Sequence, residues 1–215
     1  MRTFGSAPPH LTYVVLGDST AAGVGGDYEV GIAVSTAKHL ALHRTVAMTN
    51  LAVSGARMAD VRKDQLPNAI ALRPDLVLLS AGANDVIHLT GVRSMRTDLR
   101  AIVGALTAAN PQVRIVITGS PDMGSPPRIP RLLRGIASWR TRRVNRMFRA
   151  EAESLHLGFA PIADVTGPMF RRDRSLFDTD RFHPNDRGYA TWVPVLNDAL
   201  EKAMTAETIR RDPRG

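Results

Sequence analysis

The feature that most constrains this chain is its alternation of short, almost wholly apolar runs with longer stretches of helical spacing. The runs are residues 12–16 (TYVVL), 45–51, 75–80 (DLVLLS) and 113–118 (VRIVIT), with a fifth, shorter candidate within 156–163. Each has the length and β-branched content of a strand. Continuous apolar runs, as opposed to alternating ones, fit strands buried on both faces. Between them, residues 32–42, 59–71, 94–109, 131–155 and 187–204 carry apolar residues at helical intervals, as at Leu99, Ile102, Val103 and Leu106. Pro74 and Asn110-Pro111 punctuate the boundaries, where proline stops a helix. The segment 166–180 reads as irregular.

Strands alternating with helices imply crossover connections and a parallel sheet covered on both sides. The expected fold is therefore an α/β three-layer sandwich, α/β/α, with a five-stranded parallel sheet. No repeat or break in composition marks a second domain, so residues 1–215 read as one domain. Its core spans about residues 11–204, and residues 205–215 form a charged tail expected to fray.

Composition narrows the chemistry. The chain has no cysteine, which excludes disulfides, zinc-thiolate sites, iron–sulfur clusters and a thiol nucleophile. Its formal charge of +8 points first to anionic partners. The basic residues are nearly all arginine, however, with lysine only at Lys38, Lys63 and Lys202, a bias that codon usage alone can produce. No nucleic-acid partner is expected. No run of eighteen apolar residues spans a membrane, and the N-terminus lacks a signal-peptide pattern, so a cytoplasmic protein is the plain expectation.

In open α/β sheets, ligands bind beyond the carboxyl ends of the strands. The residues there are Gly17-Asp18-Ser19-Thr20 after the first run, Ser54-Gly55 after the second and Gly82-Ala83-Asn84-Asp85 after the third; Asp180-Arg181-Phe182-His183-Pro184 comes late in the chain. Each is weak alone. Together, a serine, a glycine backbone donor, a side-chain amide and an Asp-x-x-His pair are the parts of an acyl-transfer site. Ser19 needs a base, and His183 can supply it. Asp180, three residues earlier, can accept from the other ring nitrogen and fix the tautomer.

In these blocks the chain resembles the SGNH, or GDSL-type, hydrolases: Ser19 in GDST, Gly55 in NLAVSGA, Asn84 in GAND and His183 in DTDRFHP. The resemblance implies that Ser19, Asp180 and His183 are catalytic and that the oxyanion is bound by the backbone amides of Ser19 and Gly55 and the side chain of Asn84. It implies a flavodoxin-like version of the expected sandwich, and hydrolysis of carboxylic esters or thioesters through an acyl-enzyme, with no metal and no cofactor. Small acyl esters are the expected substrates, of short to medium chain because the short connections leave little material for a lid. Carbohydrate O-deacetylation is the alternative within the family. Thr20 and Ala21 depart from the commoner GDSL wording.

Plainer roles stand beside these. Ser19 could cap the following helix, and Asp18 and Asp85 read as turn-bonding residues. His39 and His43 have the spacing of a helical metal pair but lack the Glu that accompanies one. His88, one helical turn beyond Asn84, is placed to line the pocket. Gly23-Val24-Gly25-Gly26 reads as a flexible loop on the substrate side, since it lacks the lysine of a phosphate loop. Residues 131–149 carry Arg131, Arg134, Arg140, Arg142, Arg143, Arg146 and Arg149 interleaved with Leu132, Leu133, Ile136, Trp139, Val144, Met147 and Phe148. This pattern puts much of the apolar set against the sheet and several arginines in solvent. The alternative is a docking surface for an anionic membrane or polymer, or even a non-catalytic module working through that helix.

Overall fold

The computed structural model describes residues 1–210. In chain order the elements are β1 (Arg2–Phe4), β2 (His10–Gly17), α1 (Ser19–Ala22), α2 (Ile32–Leu40), β3 (Thr45–Asn50) and α3 (Met58–Asp60). A π-helical turn, Val61–Gln65, joins α3 to α4 (Leu66–Ala71). There follow β4 (Leu76–Ser80), α5 (Ala83–Ile87), α6 (Val92–Ala109), β5 (Arg114–Ile117), α7 (Arg131–Ser154), β6 (Gly158–Phe159), α8 (Ile162–Arg172) and, after a short 3-10 turn, α9 (Asp186–Arg210).

The strand order is β1-β3-β2-β4-β5-β6. The five strands expected from sequence run parallel, but the sheet has six: β1 adds an antiparallel edge against β3, pairing Arg2 with Met48 and Phe4 with Val46. Three residues that are mostly exposed on an edge carry no periodic apolar signal, which is why β1 is silent in the sequence. A second difference lies in 166–180, where α8 continues to Arg172 through Pro168. The residue before a proline is normally driven out of helical geometry by its Cβ, and Gly167 has none.

The sheet sorts its side chains by parity. Leu11, Tyr13 and Val15 of β2, with Leu76 and Leu78 of β4, pack under α2, α8 and α9. Val14, Leu16, Val77 and Leu79 face the opposite way, against α4, α6 and the second half of α7. Two apolar layers on one sheet are the three-layer sandwich. Of the 205–215 tail, residues 205–210 continue α9, and 211–215 lie outside the described residues.

The order also locates the site. From β2 the chain steps to β3 on one side and then crosses to β4 on the other, so the crevice between the carboxyl ends of β2 and β4 is the topological switch point. Ser19 follows β2 and Asn84 follows β4. Both sit at that crevice.

Candidate active site

Ser19 opens α1 directly beyond β2. Gly17 makes the approach possible: its φ is 150°, and a Cβ there would lie 2.0 Å from the carbonyl oxygen of Ser80. The next residue, Asp18, is 2% exposed and caps α1, its Oδ1 accepting from the Thr20 amide at 3.0 Å and the Thr20 hydroxyl at 2.8 Å. Asp18 is thus the turn-bonding residue expected. Thr20 in turn lies 3.3 Å from the Ser80 hydroxyl, so the departure from GDSL wording ties the ends of β2 and β4 together.

His183 reaches Ser19 from a loop 164 residues away. Its Nε2 lies 2.9 Å from Ser19 Oγ, and its Nδ1 lies 2.5 Å from Asp180 Oδ2. The other carboxylate oxygen of Asp180 accepts the amides of Phe182 at 2.8 Å and His183 at 3.0 Å. One carboxylate therefore folds the turn with one oxygen and orients the imidazole with the other. Burial opposes its ionisation, but the hydrogen bonds from the ring and the two amides prevail and hold the Asp180 carboxyl below its ordinary value.

The loop carrying His183 is closed by the Asp178 amide donating to the His183 carbonyl at 2.8 Å. The loop Gly23–Gly26 braces it. A Cβ on Gly25 would lie 2.8 Å from His183 Cβ and 2.5 Å from the Pro184 carbonyl oxygen. The Tyr189 hydroxyl donates to the Val24 carbonyl at 2.6 Å, and the Asp27 amide to Asp186 at 2.7 Å. This overturns the reading of the glycine stretch as a substrate-side loop: its glycines let the backbone press against the histidine loop, and it lines neither cavity at Ser19.

Gly55 and Asn84 border the same groove as Ser19 and His183. Asn84 Nδ2 donates to the Ala56 carbonyl at 3.0 Å, which uses one amide proton and leaves the other. Asp85 is buried and accepts the Met58 amide at 3.0 Å, linking the Asn84 turn to the segment after Gly55. His88 is exposed and lines neither cavity, because α5 ends before it and turns it outward. His39 instead faces Glu201 at 3.4 Å. Among the described residues no group of three or more His, Asp or Glu is placed to hold a metal ion.

Three supporting residues escape a reading of the sequence. Gln65, in the π-helical turn, accepts the Gly17 amide at 2.9 Å and donates to the Gly17 carbonyl at 2.8 Å. It thereby pairs both backbone groups just before Ser19. Asn145 does the same for Ser120, at 2.8 Å each way. Arg140 donates to the carbonyls of Val86 at 2.9 Å, Asp85 at 3.3 Å and Thr90, holding the open end of α5.

Two cavities meet at Ser19. One is narrow, partly open and apolar, about 30 Å³, lined by Thr20, Pro121, Met123, Phe170 and Trp192, which is room for roughly two water molecules. The other is an open groove of about 400 Å³ bounded by Ser54, Gly55, Asn84, Ile87, Arg128 and Ile129.

Burial makes Asp18 a pH-dependent liability. Desolvation, only partly offset by the hydrogen bonds from Thr20, pushes its pKa up to about 6 from an ordinary 3.8. Because the folded state then holds a proton that the unfolded chain releases, stability falls as pH rises from about 4 to 6 and stays lower above it. Asp18→Asn keeps the Oδ1 acceptor and removes the charge. Its melting temperature is expected to match wild type near pH 4 and to exceed it by several degrees at pH 7, from at most about 3 kcal/mol. A difference that does not change with pH would refute this account.

A sheet of this order, with Ser, His and Asp hydrogen-bonded in series at its switch point and an asparagine alongside, defines a class of three-layer α/β proteins. The comparisons place the chain within that class. The GDSL-like lipase/acylhydrolase family matches residues 15–191, and the chain belongs to this family. It is 28% identical over 205 residues to a GDSL-like esterase of Mycobacterium tuberculosis, covering 92% of this chain and 64% of that protein; the chain thus spans under two thirds of the relative's length. The crystal structure of TesA superposes with a TM-score of 0.73 at 20% identity, over 89% of this chain and 99% of that one. An acetyl-xylooligosaccharide esterase from Geobacillus stearothermophilus, of which a mutant was solved, gives 0.70 at 17% identity, over 92% and 95%. These two likenesses establish the fold.

Proposed function

We propose that the protein is a serine esterase acting on short- to medium-chain acyl esters. The observation that carries this reading is the unbroken series Ser19 Oγ, His183 Nε2, His183 Nδ1, Asp180 Oδ2, at 2.9 and 2.5 Å. His183 takes the Ser19 proton as Oγ attacks the ester carbonyl. Asp180 holds the ring in the required tautomer and stabilises the imidazolium. The tetrahedral oxyanion is met by the amides of Ser19 and Gly55 and the free proton of Asn84 Nδ2. His183 then protonates the departing alcohol, leaving the acyl group on Ser19, and activates the water that releases it. The acyl arm occupies the 30 Å³ pocket and the alcohol the 400 Å³ groove, so acetyl and propionyl esters are turned over faster than decanoyl esters.

The same division of space supports a second reading, O-deacetylation of a carbohydrate, with the acetyl group in the small pocket and the sugar in the open groove beside Ser54 and Arg128. The acetyl-xylooligosaccharide esterase among the structural neighbours is compatible with it. One experiment addresses both. Stoichiometric labelling of Ser19 by an organophosphonate, lost in His183→Ala, is expected together with hydrolysis of aryl acetate. Relative rates on aryl acetate, aryl decanoate and acetylated xylo-oligosaccharide then rank the substrates. Absence of both labelling and aryl-ester turnover would sink the esterase reading, and faster decanoate turnover would reverse the assignment of the two cavities.

A further inference from the structure

The two halves of α7 present different faces. In the second half Val144, Phe148 and Ala152 are buried against the sheet. In the first half Leu132, Leu133, Ile136 and Trp139 are 92%, 51%, 58% and 50% exposed, against the expectation that they pack on the sheet. At about 100° per residue these four form one stripe, roughly a third of a turn from the buried face. Folding therefore leaves a contiguous apolar strip in water, which on a soluble surface marks a contact site.

The charge around the strip says what it contacts. Residues 131–150 contain seven arginines and no acidic residue. Arg134 and Arg140 are spent on backbone carbonyls, and Arg149 pairs with Asp164 at 2.6 Å. Arg131, Arg142, Arg143 and Arg146 are exposed and form no ion pair among the described residues. Arg143 lies 5.8 Å from the centre of the Trp139 ring. A leucine- and tryptophan-bearing strip flanked by free arginines is the form of a helix that lies in a lipid interface, with apolar side chains among the acyl chains and cations on the headgroups. A purely anionic polymer would satisfy the arginines and leave Leu132 wet. A second copy of the chain would bring two cationic faces together.

Its placement fits. Arg128 and Ile129 line the groove at Ser19, three and two residues ahead of α7, and Ile87, 38% exposed, lines it too. We propose that the first half of α7 is a docking surface for anionic lipid bilayers, seating the protein with the mouth of that groove beside the membrane. The docking goes beyond the esterase reading and is measured without catalysis.

The test is cosedimentation with vesicles of phosphatidylcholine alone and of an equimolar mixture with phosphatidylglycerol. Wild type is expected to bind the mixed vesicles and not the neutral ones, to be released by about 0.5 M salt, and to show a blue shift of Trp139 emission. Leu132→Ser/Ile136→Ser/Trp139→Ala and Arg131→Gln/Arg142→Gln/Arg146→Gln are each expected to weaken binding at least about tenfold. Both variants should hydrolyse a soluble aryl ester as wild type does, since none of these residues touches the site. Equal binding to neutral vesicles would overturn the proposal. So would undiminished binding by the apolar variant, or a wild-type dimer in sedimentation that this variant dissociates.

Discussion

Ser19→Ala and His183→Ala are each expected to lower aryl-ester turnover by about ten-thousandfold or more, and the double variant is expected to be no worse than either alone. The argument is geometric. Ser19 Oγ and His183 Nε2 are 2.9 Å apart, within reach for proton transfer without rearrangement. A serine hydroxyl without a base is a poor nucleophile at neutral pH, and a base with no hydroxyl beside it has no positioned nucleophile to deprotonate for attack on the carbonyl. The two residues act as one unit, so removing the second removes nothing further. Residual turnover in all three variants would come from the oxyanion donors and from binding. The variants are expected to fold, because Ser19 and His183 make their contacts at the edge of the sheet and not within either apolar layer. Purified wild type and variants, compared by initial rates and by thermal unfolding, check this. Loss of turnover that multiplies in the double variant would mean that Ser19 and His183 act independently.

The parts of this molecule that were legible in the sequence share a physical reason. β2, β4 and β5 are buried on both faces over most of their length, so their runs are almost wholly apolar, do not alternate, and have the length of a strand. Ser19, Gly55 and Asn84 each follow a strand, and a parallel sheet puts every such position at one edge. The illegible parts depend on what lies across space. Gln65 and Asn145 look like polar positions on helices until their amides meet the backbone of Gly17 and Ser120. Arg140 looks like one more solvated arginine. The apolar residues of α7 have helical spacing along its whole length, yet spacing does not state what each face meets: Leu132, Leu133, Ile136 and Trp139 are exposed, whereas Val144, Phe148 and Ala152 are buried. Gly25 signals freedom of the backbone, whereas its use is close approach to His183.

The second large effect is expected at Asn84. Asn84→Ala should lower kcat by roughly 100- to 1,000-fold while leaving KM within a few-fold of wild type, the signature of a donor used mainly once charge has developed on the carbonyl oxygen. Asn84 is well made for this. Its Nδ2 donates to the Ala56 carbonyl at 3.0 Å, which fixes the amide plane before substrate arrives and costs no reorganisation during reaction. The turn that carries it is anchored on two sides, by Asp85 on the Met58 amide and by Arg140 on the carbonyls of Val86 and Thr90. The substitution also leaves the Ala56 carbonyl without that partner, a loss of about 1 kcal/mol that is small beside the change in the barrier. Thermal unfolding is therefore expected to shift by only a few degrees, which separates loss of the donor from loss of the fold. Near-normal turnover in a folded Asn84→Ala protein would remove Asn84 from the oxyanion site. A rise in KM at unchanged kcat would make it a residue that binds substrate and transition state alike.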